Sequence, residues 1–271
     1  MDTRGQRGRW AEFQTHWYGS PSADLVPFVA HYWAVEWDLR GQEPFRQLLP
    51  PHVNVHLSFV GSSPGVVRGP ARRFSHRSLS GTGRVFGVAF RPGAFRPFLT
   101  VPVSRLTDQS VPAASIFTHD LALTVASAAA DAEALAVSAG ADAVAVEGLL
   151  RGALPVMDDA AAAARDAVEL IAAEPELMRV EALATRLDVG VRYLQRLFAE
   201  HVGLGPKWCI RRYRLAEITS RLEAGTPIDW ASLAFELGYA DQAHLSRDFT
   251  AILGEPPSRY ALRYPSQPRP R

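Results

Sequence analysis

One interval constrains this sequence more than any other feature. The segment LQRLFAEHVGLGP starts at Leu194 and LSRDFTAILGEPP starts at Leu245. Both read L-x-R-x-F-x-x-x-x-G-x-x-P. Leu194, Arg196, Phe198, Gly203 and Pro206 each recur 51 positions later, as Leu245, Arg247, Phe249, Gly254 and Pro257. Five matches in a single register make coincidence a poor account; a supersecondary unit used twice is a better one. A second element precedes each copy. Val180, Leu183, Ala184 and Leu187 fall at i, i+3, i+4 and i+7, and so do Trp230, Leu233, Ala234 and Leu237. Each set is one apolar stripe of a short helix. The stripes end at tight connections, DVG and GYAD, and run directly into the repeated segments. Helix, turn, helix, twice over, is the sequence form of two helix-turn-helix units.

Projection of the second helices separates two faces. Leu194, Leu197 and Phe198 share the inward face of the first, while Arg192, Gln195 and Arg196 fall opposite. In the second, Leu245 and Phe249 turn inward and Ala243, His244 and Arg247 turn out, with Gln242 and Ser246 on the flank. Asp241 suits the cap of that helix. The stretch GYADQAHLSRDF can therefore be mostly polar and still fold, because only a narrow stripe is buried. Arginine bonds guanine bidentately and glutamine bonds adenine bidentately, each pair discriminating by about 1–3 kcal/mol. An outward Arg/Gln face is commonly just a solvated surface. Duplication, with arginine at the same place in both copies, favours DNA contact.

Between the units lies PKWCIRRYRLAEITSRLEAG (206–225), with Pro206 suited to a first helical turn and Gly225 to a stop. Trp208, Ile210, Leu215, Ile218 and Leu222 supply its apolar contacts. A helix of about 18 residues spans about 27 Å. With its flanking elements, such a rod can set two recognition helices about one DNA turn apart, roughly 34 Å. The 271-residue chain carries a formal charge of only +1, but Arg192, Arg196, Lys207, Arg211, Arg212, Arg214 and Arg221 against Glu200, Glu217 and Glu223 give residues 190–225 a charge of +4. That surplus suits phosphate attraction.

The first half reads differently. VAHYWAVEW and HVNVHLSF alternate with period 2, and RVFGVAF follows, separated by RGQEP, GSSPG and SGTG turns. Short strands at this spacing predict a small antiparallel barrel or sandwich. FTHDLALTVASAAADAEALAV and AVAVEGLLRGAL are candidate helices, and PVMDDAAAAA (155–164) reads as a linker.

At its repeated segments the chain resembles the AraC/XylS family of bacterial transcriptional regulators. The resemblance covers residues 165–264 and is strongest over GYADQAHLSRDFTAILGEPPSRY. It implies two helix-turn-helix subdomains joined by a long helix. It carries base contact onto Arg192, Gln195 and Arg196 in the first unit, and onto Gln242, Ala243, His244 and Arg247 in the second. Ala243 departs from the pattern, since relatives often have a polar side chain there. LLPPHVNVHLSFV and GVAFRPGAFRPFLTVPVSRLTD are similar to segments of AraC-type sensor domains, which implies a cupin-like barrel followed by helices. The expected architecture is α+β: a cupin-like β-barrel sensor domain (10–112), a helical dimerisation or connector region (113–154), the linker (155–164), an all-α DNA-binding domain (165–264) and a disordered tail (265–271).

Several features look chemical. GSSPG (61–65) matches the G-x-S-x-G nucleophile elbow, but Pro64 has no N–H for an oxyanion hole, so Ser63 reads as a loop residue. His52 and His56 share a putative strand face without a third ligand at diagnostic spacing, so no metal is expected. Cys209, the single cysteine, falls on the apolar-rich connecting helix and reads as core. Tyr32, Trp33, Trp37, His56 and Phe90 are the candidate lining of a ligand cavity. No catalytic residue and no cofactor is expected. The lone cysteine, the charged N-terminus without an apolar segment and the absence of an apolar run of about 18 residues point to the cytoplasm. The expected function is sequence-specific regulation of transcription, controlled through the N-terminal domain by an effector or by dimerisation. Double-stranded DNA is the expected partner, and a small-molecule effector, RNA polymerase and a second copy of the chain are candidate partners; no membrane association is expected. The alternative is a small-molecule-binding or metal-dependent cupin enzyme with an accessory helical domain.

Overall fold

The computed structural model describes residues 13–61, 63–117, 132–174, 176–223 and 228–261. Residues 10–12, the stretch 118–131, Gly225 and the tail 265–271 lie outside the described residues. The N-terminal half contains β1 (Gln14–Gly19), β2 (Val29–Leu39), β3 (Phe45–Leu49), β4 (His56–Val60), β5 (Val66–Arg68), β6 (Ser75–Leu79), β7 (Gly81–Phe90) and β8 (Ser110–Pro112). Six strands form an antiparallel sheet in the order β1-β2-β7-β4-β5-β8, and β3 pairs with β6 in a separate ribbon.

The alternation read in β2 sorts its side chains onto two sides of the sheet. Tyr32 and Ala34 join Leu57, Phe59, Phe86, Val88 and Phe90 in the main core. α1 (Ala132–Arg151) covers that side, with Leu135, Ala139, Ala143, Val146 and Leu150 inward at helical spacing. Two polar contacts reinforce it. Arg84 of β7 and Asp142 of α1 form a buried ion pair at 2.6 Å. Tyr32 Oη donates to Glu147 Oε1 at 3.1 Å. The two helical segments read in the sequence are, over the described residues, parts of one helix running through Ser138–Asp142, with Gly140 inside it.

Trp33, Val35 and Trp37 lie on the opposite side with Val60 and Val85, partly covered by Phe45 and Leu79 of the ribbon. Glycine makes that packing fit. A Cβ on Gly83 would stand 2.2 Å from the Trp37 ring, and one on Gly87 would stand 2.3 Å from the Trp33 ring. Both indoles therefore pack directly against the β7 backbone.

The linker expected at 155–164 is corrected by the structure. Only its first part, to Asp158, is irregular. Ala161 N–H donates to the Asp158 carboxylate at 2.6 Å, and α2 (Asp159–Ala173) starts there. Ala161, Ala164 and Ala167 bury one face with Val168 and Ile171. A run of alanines is low in complexity, but alanine is the best helix former and packs closely.

The remaining helices are α3 (Val180–Arg186), α4 (Val191–Leu197) with a π turn at Phe198–Val202, α5 (Pro206–Glu223), α6 (Trp230–Glu236), α7 (Gln242–Leu253) and α8 (Pro257–Ala261). They form two cores. Leu183, Leu194, Leu197 and Phe198 anchor the first, and Leu233, Leu245, Phe249 and Tyr260 the second. α5 serves both, giving Cys209 and Ile210 to the first and Leu215 and Ile218 to the second. Its 18 residues match the predicted rod. Val53, from the N-terminal half, completes the first core. Among the described residues, no helix is long and apolar enough to cross a membrane.

Candidate nucleic-acid interface

α3 and α4 form the first helix-turn-helix unit, and α6 and α7 the second. The caps follow local chemistry. Asp229 accepts from Ala231 N–H at 3.0 Å at the head of α6. Asp241 accepts from His244 N–H at 2.6 Å at the head of α7, as the sequence predicted. α4 has no side-chain cap.

All seven residues singled out for base contact are exposed: Arg192, Gln195 and Arg196 on α4, and Gln242, Ala243, His244 and Arg247 on α7. Their inward neighbours Leu194, Phe198, Leu245 and Phe249 are fully buried. His244 is the most constrained of the outward set, its ring edge-on to Tyr239 with centroids 5.2 Å apart. Arg196 lines a groove of about 480 Å³ with Tyr193, Glu200 and His201 of its own unit and Pro102 and Ser104 of the N-terminal half.

The charge surplus counted along 190–225 is much smaller on the surface. Arg211 forms a bidentate pair with Asp248 of α7. Arg212 Nε donates to Pro51 O at 2.8 Å, and Arg221 pairs with Glu236 at 3.1 Å. Arg214 is buried, donating to the carbonyls of Leu177 and Glu174. Arg192, Arg196 and Lys207 remain exposed, and none of them forms an ion pair among the described residues. Four of the seven cations thus brace the connecting helix. The missed clue is that arginines on a helix packed on both ends must meet partners there.

The five aromatic and histidine positions expected to share a cavity divide between the two sides of the sheet. Tyr32 and Phe90 sit in the core beneath α1. Trp33, Trp37 and His56 belong to the other side of the sheet. There Trp33 Nε1 donates to His56 Nδ1 at 3.3 Å, and Trp37 Nε1 donates to Ser80 O at 3.3 Å. The period-2 pattern already held this answer, since Tyr32 has the opposite parity to Trp33 and Trp37. Register adds what strand-by-strand reading missed. Gln14 faces Trp37, His16 faces Val35 and Tyr18 faces Trp33 across β1–β2, so all three lie on the Trp33 side. Both polar side-chain atoms of Gln14 and both ring nitrogens of His16 are buried without a hydrogen-bond partner.

His52 lies in irregular chain before β4 rather than on the strand, its ring 4.6 Å from that of His56 and edge-on to it. Among the described residues, no three histidine, cysteine or acidic side chains are grouped to hold a metal. Ser63 is exposed in a turn, its N–H donating to Val60 O at 3.0 Å. Cys209 is fully buried, and burial pushes its thiol well above the ordinary range.

Burial lowers the basicity of His16, His31, His56 and His201. The unfolded chain then binds more protons than the native one below the usual imidazole range near 6.5. Stability is fully present above that value and falls as pH drops through it, by up to about 1.4 kcal/mol per pH unit for each histidine. Urea midpoints measured from pH 7.5 down to 5.5 should therefore decrease; a flat or rising profile refutes the buried neutral state of these rings.

Residues 183–263 match a family model described as a helix-turn-helix domain, and residues 19–112 match one described as a domain of unknown function, DUF6597. Among solved structures the chain is similar to a probable AraC family transcriptional regulator from Rhodopseudomonas palustris, at 28% identity over 38% of this chain and 97% of that one, with a TM-score of 0.34. It is similar to the DNA-binding domain of AdpA, solved in complex with a target DNA, at 25% identity over 40% of this chain and 94% of that one, with a TM-score of 0.33. It is also similar to ToxT from Vibrio cholerae, at 12% identity over 93% of this chain and 97% of that one, with a TM-score of 0.44. No curated protein matches the chain.

Proposed function

We propose that this chain, whose residues 183–263 match a helix-turn-helix domain, is an AraC/XylS-type DNA-binding transcriptional regulator that reads two half-elements with α4 and α7. One observation carries the reading: two copies of a unit bury equivalent stripes and leave Arg196 and Arg247 exposed at equivalent positions. In a helix-turn-helix, the second helix enters the major groove and presents residues near its N-terminal end to base edges. Arg192, Gln195 and Arg196 form the first reading set, and Gln242, His244 and Arg247 the second; Ala243 offers a methyl for apolar contact with thymine. Few exposed cations back these helices, so sequence-independent affinity is modest and falls with salt.

Selection from randomised duplexes in moderate salt tests this reading. The expected product is a motif of two half-elements about 10 base pairs apart. Arg196→Ala and Arg247→Ala should each relax preference at a different base pair by about 1–3 kcal/mol, with the fold intact. Equal loss on all sequences assigns these arginines to phosphates, and no motif overturns the reading.

Control belongs to the N-terminal half. An effector would lie on the β1–β2 side carrying Gln14, His16, Tyr18 and Trp33, where buried amide and imidazole atoms lack partners, an arrangement that ordinarily costs about 1–3 kcal/mol per group until satisfied. The candidate contact with a second copy is the outer face of α1, where Val137 and Val144 are 72% and 73% exposed.

A further inference from the structure

The repeat supplies more than two reading helices. Its shared glycine ends both second helices, and both copies are left-handed, Gly203 at φ +83° and Gly254 at φ +84°. Positive φ alone explains glycine there. The surroundings add a second reason, because the N-terminal half touches both glycines. A Cβ on Gly203 would lie 2.9 Å from Thr107 Oγ1 and 3.0 Å from Val103 O. A Cβ on Gly254 would lie 2.9 Å from the Phe74 ring. Thr107 Oγ1 also donates to Gly203 O at 2.7 Å, a buried bond. The same point of each unit is thus a seat for the N-terminal half.

The two contacting segments are tied to each other. Gly69 N–H donates to Gln109 O at 3.0 Å, and Asp108 N–H donates to Pro70 O at 2.8 Å. Asp108, itself left-handed at φ +60°, accepts from Arg72 N–H at 2.8 Å. Directly beyond this base, β5 and β8 pair at the sheet edge, Arg68 opposite Ser110. The result is a two-pronged fork on the sheet, one prong ending at Val103 and Thr107 and the other at Phe74. A salt bridge between Arg96 and Glu200 at 2.6 Å seats the first prong more firmly.

We propose that this fork sets the disposition of the two helix-turn-helix units relative to each other, with Phe74 and Thr107 as positioning residues for the spacing of the half-elements. The proposal rests on the DNA-binding reading above. α5 fixes the separation along its axis and Met178, which precedes α3, packs against the second core, so a change of spacing requires the second unit to swing about these contacts. Phe74 against Gly254 is a contact that opposes such a swing. One added base pair turns the second half-element by roughly 35° around the duplex, so loss of the brace changes which spacings are bound.

The test uses the full-length chain and duplexes carrying the two selected half-elements with the spacer varied by one base pair in each direction. The wild type is expected to favour one spacer. In Phe74→Ala and Thr107→Val, discrimination between that spacer and its neighbours should fall by about tenfold, a typical coupling between two sites, while base preferences within each half-element stay unchanged. Phe74→Leu, which keeps an apolar side chain at the seat, should recover part of the discrimination and guards against a folding defect in Phe74→Ala. Unchanged spacer discrimination in both variants overturns the proposal, and so does an equal loss of affinity at every spacer. A wild-type chain that enriches no two-part motif overturns both this proposal and the DNA reading; a motif with unaltered spacing in the variants overturns this one alone.

Discussion

Phe249→Ala and Phe198→Ala should each destabilise the helical domain by about 3–5 kcal/mol, the usual cost of removing a buried aromatic side chain. Both rings are fully buried and occupy the same place in the repeat. Phe249 sits edge-on to Tyr260 with centroids 5.5 Å apart and closes the second core; Phe198 closes the first. Each phenylalanine stands one turn along the inward stripe from Leu194 or Leu245, so its truncation leaves a cavity in the core. Urea denaturation followed by helical ellipticity measures the loss. Paired leucine variants, which retain most of the volume, should lose less. A cost below about 1 kcal/mol at either site contradicts the packing described here.

Asp142→Ala should cost about 3–5 kcal/mol, because it strips the carboxylate from a buried arginine. Arg84 is 3% exposed on β7 and reaches Asp142 of α1 at 2.6 Å. Burial pushes the Asp142 carboxyl above the usual carboxylate range while the Arg84 guanidinium pulls it back. The sign of the double variant separates pairing from packing. Glu36 is buried opposite Arg84 across β2–β7, so Arg84→Met combined with Asp142→Leu, which removes the pair and keeps apolar volume, should recover part of the loss in the same denaturation assay. A double variant as unstable as Asp142→Ala would mean that β7 and α1 depend on this pair for more than charge compensation.

These sites differ in how openly the sequence displayed them. Phe198 and Phe249 were visible as core because a stripe at i, i+3 and i+4 is a property of neighbouring residues, and the repeat stated it twice. The Asp241 cap was visible for the same reason, since its hydrogen bond closes within three residues. Arg84 and Asp142 were not. They are 58 residues apart, and each looks like an ordinary surface charge until β7 is laid against α1. The linker at 155–164 misled through composition, since a run of alanines has no polar contrast to show which face a helix buries.

Local patterning by itself determined that this chain carries two helix-turn-helix units, where their second helices lie, and that alternating strands precede them. Hydrophobic period and caps act over a few residues and can be read without knowing what lies across the molecule. Tertiary structure decided which side chains were left free to act. It took Arg211, Arg212 and Arg214 into contacts with Asp248, Pro51 and Leu177, at separations from 37 to 161 residues. It brought Phe74 and Thr107 to two equivalent glycines. A long side chain takes its partner from whatever packs beside it, and packing between distant segments follows from how whole elements bury their apolar faces, which no window of neighbouring residues contains.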